Sequence, residues 1–176
     1  MKLHIGCGKA YIPGWVNVDI ISDVHADIYS NALALPYERE SIDLIYASHV
    51  LEHFDRRLVL SALTHWYSLL KKEGILRLAV PDFEAIVEEY NDSFCDVGGL
   101  LGLLYGGQDH VLNIHRIAFD YPYLTKLLTT AGFVMTRRWN WRETEHSHID
   151  DYSQAYLPHM DKEKGRLMSL NVEAIK

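Results

Sequence analysis

Cysteine is nearly absent: only Cys7 and Cys95 occur in 176 residues, far apart and with no partner pattern. Such usage excludes a disulfide framework and suits a reducing, cytoplasmic setting. No stretch approaches the ~20 consecutive apolar residues of a membrane span, and Met1 is not followed by a charged-then-apolar leader. Internal repeats, low-complexity tracts and Pro- or Gly-rich linkers are lacking too, so one domain over residues 1–176 is expected. Positive charge is scarce, with 17 Lys and Arg against 24 Asp and Glu and a formal net charge of -7. Polyanion binders carry basic patches because phosphate contacts dominate their affinity, so a nucleic-acid partner is not expected. Arg137, Arg138 and Arg142 form the one dense basic cluster, interleaved with Trp139 and Trp141. That pattern reads as a strand with one buried and one solvated face. Composition points to a small-molecule or sugar substrate and is silent on oligomeric state.

The first informative segment is Leu3-His4-Ile5-Gly6-Cys7-Gly8, followed by Gly14-Trp15-Val16-Asn17-Val18-Asp19. It reads as a strand, a glycine turn, and a second strand ending in a carboxylate. Without a Cβ, Gly6 and Gly8 permit unusual dihedrals and close approach of a ligand. A carboxylate at the tip of the neighbouring strand is placed to accept hydrogen bonds from ribose hydroxyls. The dinucleotide fingerprint G-x-G-x-x-G/A requires a small last residue. Here Tyr11 takes that place, and Pro13 follows, which a helix interior does not tolerate. No Lys-Ser or Lys-Thr pair follows the turn, which excludes a P-loop.

Beyond this turn, strands are expected at Lys2–Ile5, Val16–Ile20, Val24–Ile28, Ile42–Ala47, Ile75–Val80, Phe133–Trp139 and Leu170–Ile175. Helices are expected over 56–72, capped by Asp55 and stopped by Gly74, after Asp82 with Phe83, Ile86, Val87 and Tyr90 on one stripe, and from Asp120 to Gly132. Strands alternating with helices imply an open, largely parallel α/β sheet. Two excursions interrupt the rhythm, at about 91–119 and 141–166. The first is glycine-rich and reads as a functional loop.

The glycine turn, Asp19, Asn31-Ala32-Leu33-Ala34-Leu35-Pro36-Tyr37 and Ser41-Ile42-Asp43-Leu44-Ile45-Tyr46-Ala47-Ser48-His49-Val50-Leu51-Glu52-His53 occur in that order. Together they resemble the class I S-adenosylmethionine-dependent methyltransferases, and most of all the small methyltransferase-type-11-like proteins. The resemblance implies a single Rossmann-like domain of seven strands in order 3-2-1-4-5-7-6, the last antiparallel. Three departures are visible: no helix precedes the first strand, the crossover after it is too short for a helix, and Ala10 replaces the third glycine.

The resemblance implies S-adenosyl-L-methionine as cofactor. Gly6, Cys7 and Gly8 would approach its methionine and ribose parts, Asp19 the ribose hydroxyls, and Asn31 with Ala32 the adenine. Ser48 and His49 would lie along the methionine arm, with His49 also a candidate base, while Leu35 and Tyr37 read as core. His115 with Asp150 or Asp151 would line the acceptor pocket. Relatives that accompany polysaccharide biosynthesis suggest a sugar hydroxyl acceptor. Two alternatives stand beside this. His49, Glu52 and His53 fit the H-x-x-E-H zincin pattern, and His146, His148 and Asp150 alternate as zinc ligands do, both implying a zinc hydrolase. That reading lacks an evident third ligand for the first set, and Glu52 and His53 read as structural in the main one, which assigns no metal. The other alternative is an inactive S-adenosylmethionine-binding protein.

Overall fold

The computed structural model describes residues 1–93 and 96–176; Cys95 lies outside them. The strands are β1 Lys2–Ile5, β2 Val16–Asp19, β3 Ile28–Tyr29, β4 Ile42–Ser48, β5 Leu70–Pro81, β6 Met135–Arg138, β7 Tyr156–Leu157, β8 Arg166–Leu167 and β9 Ser169–Ile175. The helices are α1 Val59–Leu69, α2 Phe83–Asp92, α3 Leu101–Tyr105 and α4 Tyr121–Ala131. Seven strands form one sheet in the order β3-β2-β1-β4-β5-β9-β6. Strands β1 to β5 are parallel, and β9 runs antiparallel between β5 and β6. This is the expected topology; the closing strand is ninth because β7 and β8 pair separately within residues 141–167.

Alternation along the strands gives the sheet two unlike faces. Leu3, Ile5, Ile45, Ala47, Leu76, Leu78, Leu170 and Val172 point to one side, where they join Leu63 and Trp66 of α1 and Leu124 and Leu128 of α4 in the main core. The opposite side is buried yet largely polar: His4, Asn17, Arg77, Asn171 and Glu173 are all under a tenth exposed. Glu173 bridges its strand neighbours, receiving Arg77 and Arg137 at 2.8 Å each. A buried carboxylate is tolerable when guanidinium groups satisfy both oxygens.

This polar face carries no helix between β1 and β4. The links at residues 6–15, 20–27 and 30–41 are turns and loops. Asn17 holds the first link: its carboxamide accepts from the Ile12 N–H at 2.9 Å and donates to the Ile12 carbonyl at 3.0 Å. Ile12 and Trp15 then pack on Leu44 and Tyr46, with Ile75, Trp139 and Ile149 around them. Residues from the 141–166 excursion thus cover sheet that a helix would otherwise bury.

Several elements differ from expectation for identifiable reasons. The strand expected at Val24–Ile28 shrinks to Ile28–Tyr29, because Asp27 is used as a bracket. Its carboxylate accepts from the Asn17 N–H at 2.7 Å and the Tyr11 hydroxyl at 2.9 Å. Helix α1 is shorter at both ends. Asp55 closes a turn on Arg57 instead of capping the helix, and Leu70 leaves the helix to pair with Ile42, so Gly74 falls inside β5. Asp82 and Asp120 do cap α2 and α4, and Gly132 ends α4 in the left-handed conformation. On α2 only Ala85 and Ile86 are buried; Phe83, Val87 and Tyr90 of the expected stripe are exposed. The glycine-rich excursion is partly helical, containing α3. Arg137, Arg138 and Arg142 are engaged internally, with Glu173, Asp82 and the Lys162 carbonyl.

His146 lies in the aromatic patch, 4.5 Å from the Tyr46 ring and 5.4 Å from the Trp15 ring, with both nitrogens unpartnered. Burial, and then the Arg77 charge, lower its pKa from 6.5 to about 4. The unfolded chain takes up this proton at a higher pH than the folded one, so the contribution is complete above pH 6.5 and is lost as pH falls toward 4. The loss reaches at most about 3 kcal/mol. His146→Phe should fold and show a shallower decline in urea midpoint between pH 7 and 5 than the wild type; an unchanged decline contradicts this role.

Candidate active site

Open α/β sheets place ligands outside the carboxyl ends of their parallel strands. At the ends of β1 and β4 lies a cavity of about 430 Å³ lined by His4, Gly6–Ala10, Ser48, His49, Asp150, Asp151, Tyr152, His159 and Met160. Its volume falls within the range of small-molecule and cofactor sites.

The glycine turn owes its shape to two constraints. Gly6 sits at φ +64, and a Cβ there would lie 2.3 Å from Cγ2 of Val50, so the end of β1 is pressed against the turn after β4. Gly8 sits at φ +51, but a Cβ there would meet nothing within 4 Å. Its backbone faces open space, the arrangement a close ligand needs. Asp19 fastens the turn from β2: its Oδ2 accepts from the Gly8 N–H at 2.8 Å and its Oδ1 from the Ile21 N–H at 2.9 Å. A carboxylate has about four acceptor positions, so two remain for hydroxyl donors. The Cys7 thiol is buried, and burial followed by the Asp19 charge raises its pKa to about 11. It is therefore a packing group and not a nucleophile.

Across the cavity, Ser48 ends β4 with its Oγ buried and unpartnered. Buried hydroxyls ordinarily find partners, so an orphan on a cavity wall is a ready contact for a polar ligand. His49 adopts φ +53. Its Nδ1 lies 3.1 Å from Glu52 Oε1 and its Nε2 3.2 Å from Ser169 Oγ, so both nitrogens already face internal partners.

The 141–166 excursion forms the remaining wall. Asp151 accepts the Tyr46 hydroxyl at 2.6 Å and the Ser153 N–H at 2.8 Å, pinning the excursion to β4. Burial, and then Asp151, push the Tyr46 phenol well above its ordinary range. Asp150 pairs with Lys162 at 2.8 Å on the exposed rim.

Of the residues singled out from sequence, Gly6, Cys7, Gly8, Ser48, His49, Asp150 and Asp151 come together around this cavity. Asp19, Asn31 and Ala32 are not among its lining residues; Asp19 backs the turn through the Gly8 N–H. Asn31 accepts from the Leu33 N–H, and the Ala32 carbonyl accepts from the Trp66 indole. Leu35 is buried in the core and Tyr37 packs against it. His115 is also elsewhere: its Nδ1 bonds the Leu103 carbonyl at 2.8 Å, and it lines a separate recess with Asp55, Arg56, Arg57, Ile114 and Arg116. The expected pairing of His115 with Asp150 or Asp151 is therefore not formed.

Both zinc sets of the hydrolase reading are also undone. His49 approaches Glu52 at 3.1 Å but does not group with His53 as a ligand set, and His146 is buried while His148 and Asp150 are exposed. Sequence reasoning overlooked His4, Lys9, Tyr152, His159 and Met160 on the cavity wall. For His4 a signal existed: alternation puts it opposite Leu3 and Ile5. Lys9 lies within the glycine turn itself, beside residues already singled out; for Tyr152, His159 and Met160 no signal existed, since an irregular excursion carries no period.

The two glycines give a direct check. Gly6→Ala should destabilise by several kcal/mol, because strain at positive φ adds to a clash with Val50. Gly8→Ala should cost only about 1–2 kcal/mol. Urea unfolding of both variants, with Gly6→Ala/Val50→Ala as partial rescue, tests this; equal losses at the two positions contradict the pinch.

Residues 3–78 match a family model described as a methyltransferase domain. No curated protein sequence matches the chain. Among solved structures, a Thermotoga maritima protein described as a SAM-dependent methyltransferase and possible histamine N-methyltransferase superposes with TM-score 0.61 at 17% identity, covering 99% of this chain and 81% of its own. A SAM-dependent methyltransferase from Archaeoglobus fulgidus gives 0.60 at 16% identity, covering 99% and 85%. The Burkholderia thailandensis 1,6-didemethyltoxoflavin N1-methyltransferase, solved with its substrate and S-adenosylhomocysteine, gives 0.58 at 18% identity, covering 99% and 70%. Residues 3–78 are thus similar in sequence to a methyltransferase domain, and over its whole length the chain has the fold of these S-adenosylmethionine-dependent methyltransferase structures.

Proposed function

We propose that this protein transfers a methyl group from S-adenosyl-L-methionine to a small-molecule or sugar acceptor in the cavity between the glycine turn and the 150–160 segment. The carrying observation is the convergence of Gly6–Ala10, Ser48 and His49 on one cavity at the ends of β1 and β4. The residues fit the cofactor: a glycine backbone facing open space, an unpartnered buried hydroxyl and a carboxylate with spare acceptor positions. When bound, the cofactor supplies the activated methyl group.

The chain's own task is positioning, worth roughly 7–11 kcal/mol at best when two reactants are held in attack geometry. The turn 6–10 and Asp19 hold one reactant. Asp150, Tyr152 and His159, on the facing wall, give an acceptor hydroxyl or amine polar groups to orient against. His49 borders both sides of the cavity, and a proton from the acceptor reaches it only if its contact with Ser169 opens. No described helix is long and apolar enough to cross a membrane.

Titration calorimetry with S-adenosylhomocysteine should give one site per chain. A charged hydrogen bond contributes roughly 1.5–3 kcal/mol, so Asp19→Asn should weaken binding by about one to two orders of magnitude. A nicotinamide dinucleotide should leave the thermal midpoint unchanged while S-adenosylhomocysteine raises it. Unaltered affinity in Asp19→Asn removes that residue from the site, and a midpoint raised only by the dinucleotide overturns the reading.

A further inference from the structure

Around Glu52, beside its contact with His49, three ligand-type side chains converge. Glu52 and His53 belong to the short turn Leu51–His53 that follows β4, and His115 comes from the 91–119 excursion. Each offers a ligand atom within 4.8 Å of the others, and among the described residues this is the one such group of three.

Two independent features make the group more than a coincidence of position. The first is Glu52. Its side chain is wholly buried, and neither carboxylate oxygen has a hydrogen-bond donor. His49 Nδ1 stands 3.1 Å from Oε1 but is not aligned as a hydrogen bond, so it supplies proximity without satisfying the oxygen. Burying a carboxylate without donors is costly unless a cation faces it.

The second feature is the state of the two imidazoles. His53 Nδ1 lies 3.2 Å from the Ile114 carbonyl, and His115 Nδ1 lies 2.8 Å from the Leu103 carbonyl. A carbonyl only accepts, so in the neutral form of each ring the proton sits on Nδ1 and Nε2 keeps its lone pair. Metal-binding histidines are held in this way, with the second nitrogen donating to a carbonyl or carboxylate. The two rings meet edge to face with centroids 5.0 Å apart.

We propose that Glu52, His53 and His115 bind one divalent transition-metal ion, zinc being favoured by two imidazoles and one carboxylate. Tetrahedral donors at zinc distances stand roughly 3.3 Å apart, so the side chains must draw in by about an ångström. The ion would neutralise Glu52 and fasten the 91–119 excursion to the end of β4. A hydrogen bond from the Arg116 N–H to the Glu52 carbonyl at 2.8 Å already brings the two segments together. His115 also lines the recess of about 510 Å³, which gives the ion a path from solvent. This differs from the H-x-x-E-H pattern read in the sequence: His115 replaces His49 as the third ligand, and no hydrolysis is implied. The site is independent of whether the glycine-turn cavity takes S-adenosylmethionine.

The test uses the full chain without a polyhistidine tag, stripped with chelator and titrated with Zn²⁺ by calorimetry and with Co²⁺ by visible absorption. One equivalent should bind, raise the thermal midpoint and give a Co²⁺ ligand-field spectrum. His115→Ala and His53→Ala should each weaken binding at least tenfold, while His110→Ala and His148→Ala should not. Because His115 lies in an excursion and is only half-buried, its variant remains informative even where His53→Ala is poorly folded. Absence of stoichiometric binding, or undiminished binding in a folded His115→Ala, overturns the proposal. Retained S-adenosylhomocysteine binding in that variant separates this result from the fate of the methyltransferase reading.

Discussion

The link from β1 to β2 is too short to hold a helix, and much of the molecule follows from that. Residues 6–15 turn through the glycines, are bracketed by Asn17, and lie flat on the sheet. The face above β1 and β4 is therefore not sealed by helix packing. It is buried instead under Ile12, Trp15, Trp139 and Ile149, around a layer of paired polar groups. The opposite face, packed by α1 and α4, carries the ordinary apolar core. Stability and site-building are thus divided between the two sides of one sheet.

This division shapes the candidate site. Because loop covers the polar face, the 141–166 excursion reaches the ends of β1 and β4 and contributes five of the thirteen residues that line the cavity. Its attachment is specific: Asp151 on Tyr46, and the Asn171 carboxamide donating to the Ser153 carbonyl. On the proposed function, cofactor contacts would come from the sheet and acceptor contacts from the excursion. Acceptor specificity then changes through residues 150–160 without disturbing the glycine turn.

Sheet order was legible from sequence because each parallel strand carries its own signal. Ile42–Ala47 is apolar except for the exposed Asp43, as suits a strand buried on both faces, and the glycine turn with Asp19 marks β1 and β2. The caps at Asp82 and Asp120 were legible for the same local reason. Failures arose where a residue was used in a way its local pattern does not specify. Asp27 brackets Asn17, Leu70 pairs with Ile42, and Asn31 closes its own turn. In the site, Gly6–Gly8, Ser48 and His49 lie at strand ends, where topology predicts a crevice. The neighbours of His115 were illegible because they depend on how an aperiodic excursion folds back onto Glu52.

The central claim is that the cavity at the ends of β1 and β4 is the cofactor site. Amide chemical shifts during titration with S-adenosylhomocysteine test it directly. The account predicts saturable perturbations at residues 6–10, 48–49 and 150–152, with the edge strand β6 unaffected. Saturation without perturbation of the glycine turn, or perturbation confined to residues outside this cavity, would contradict it.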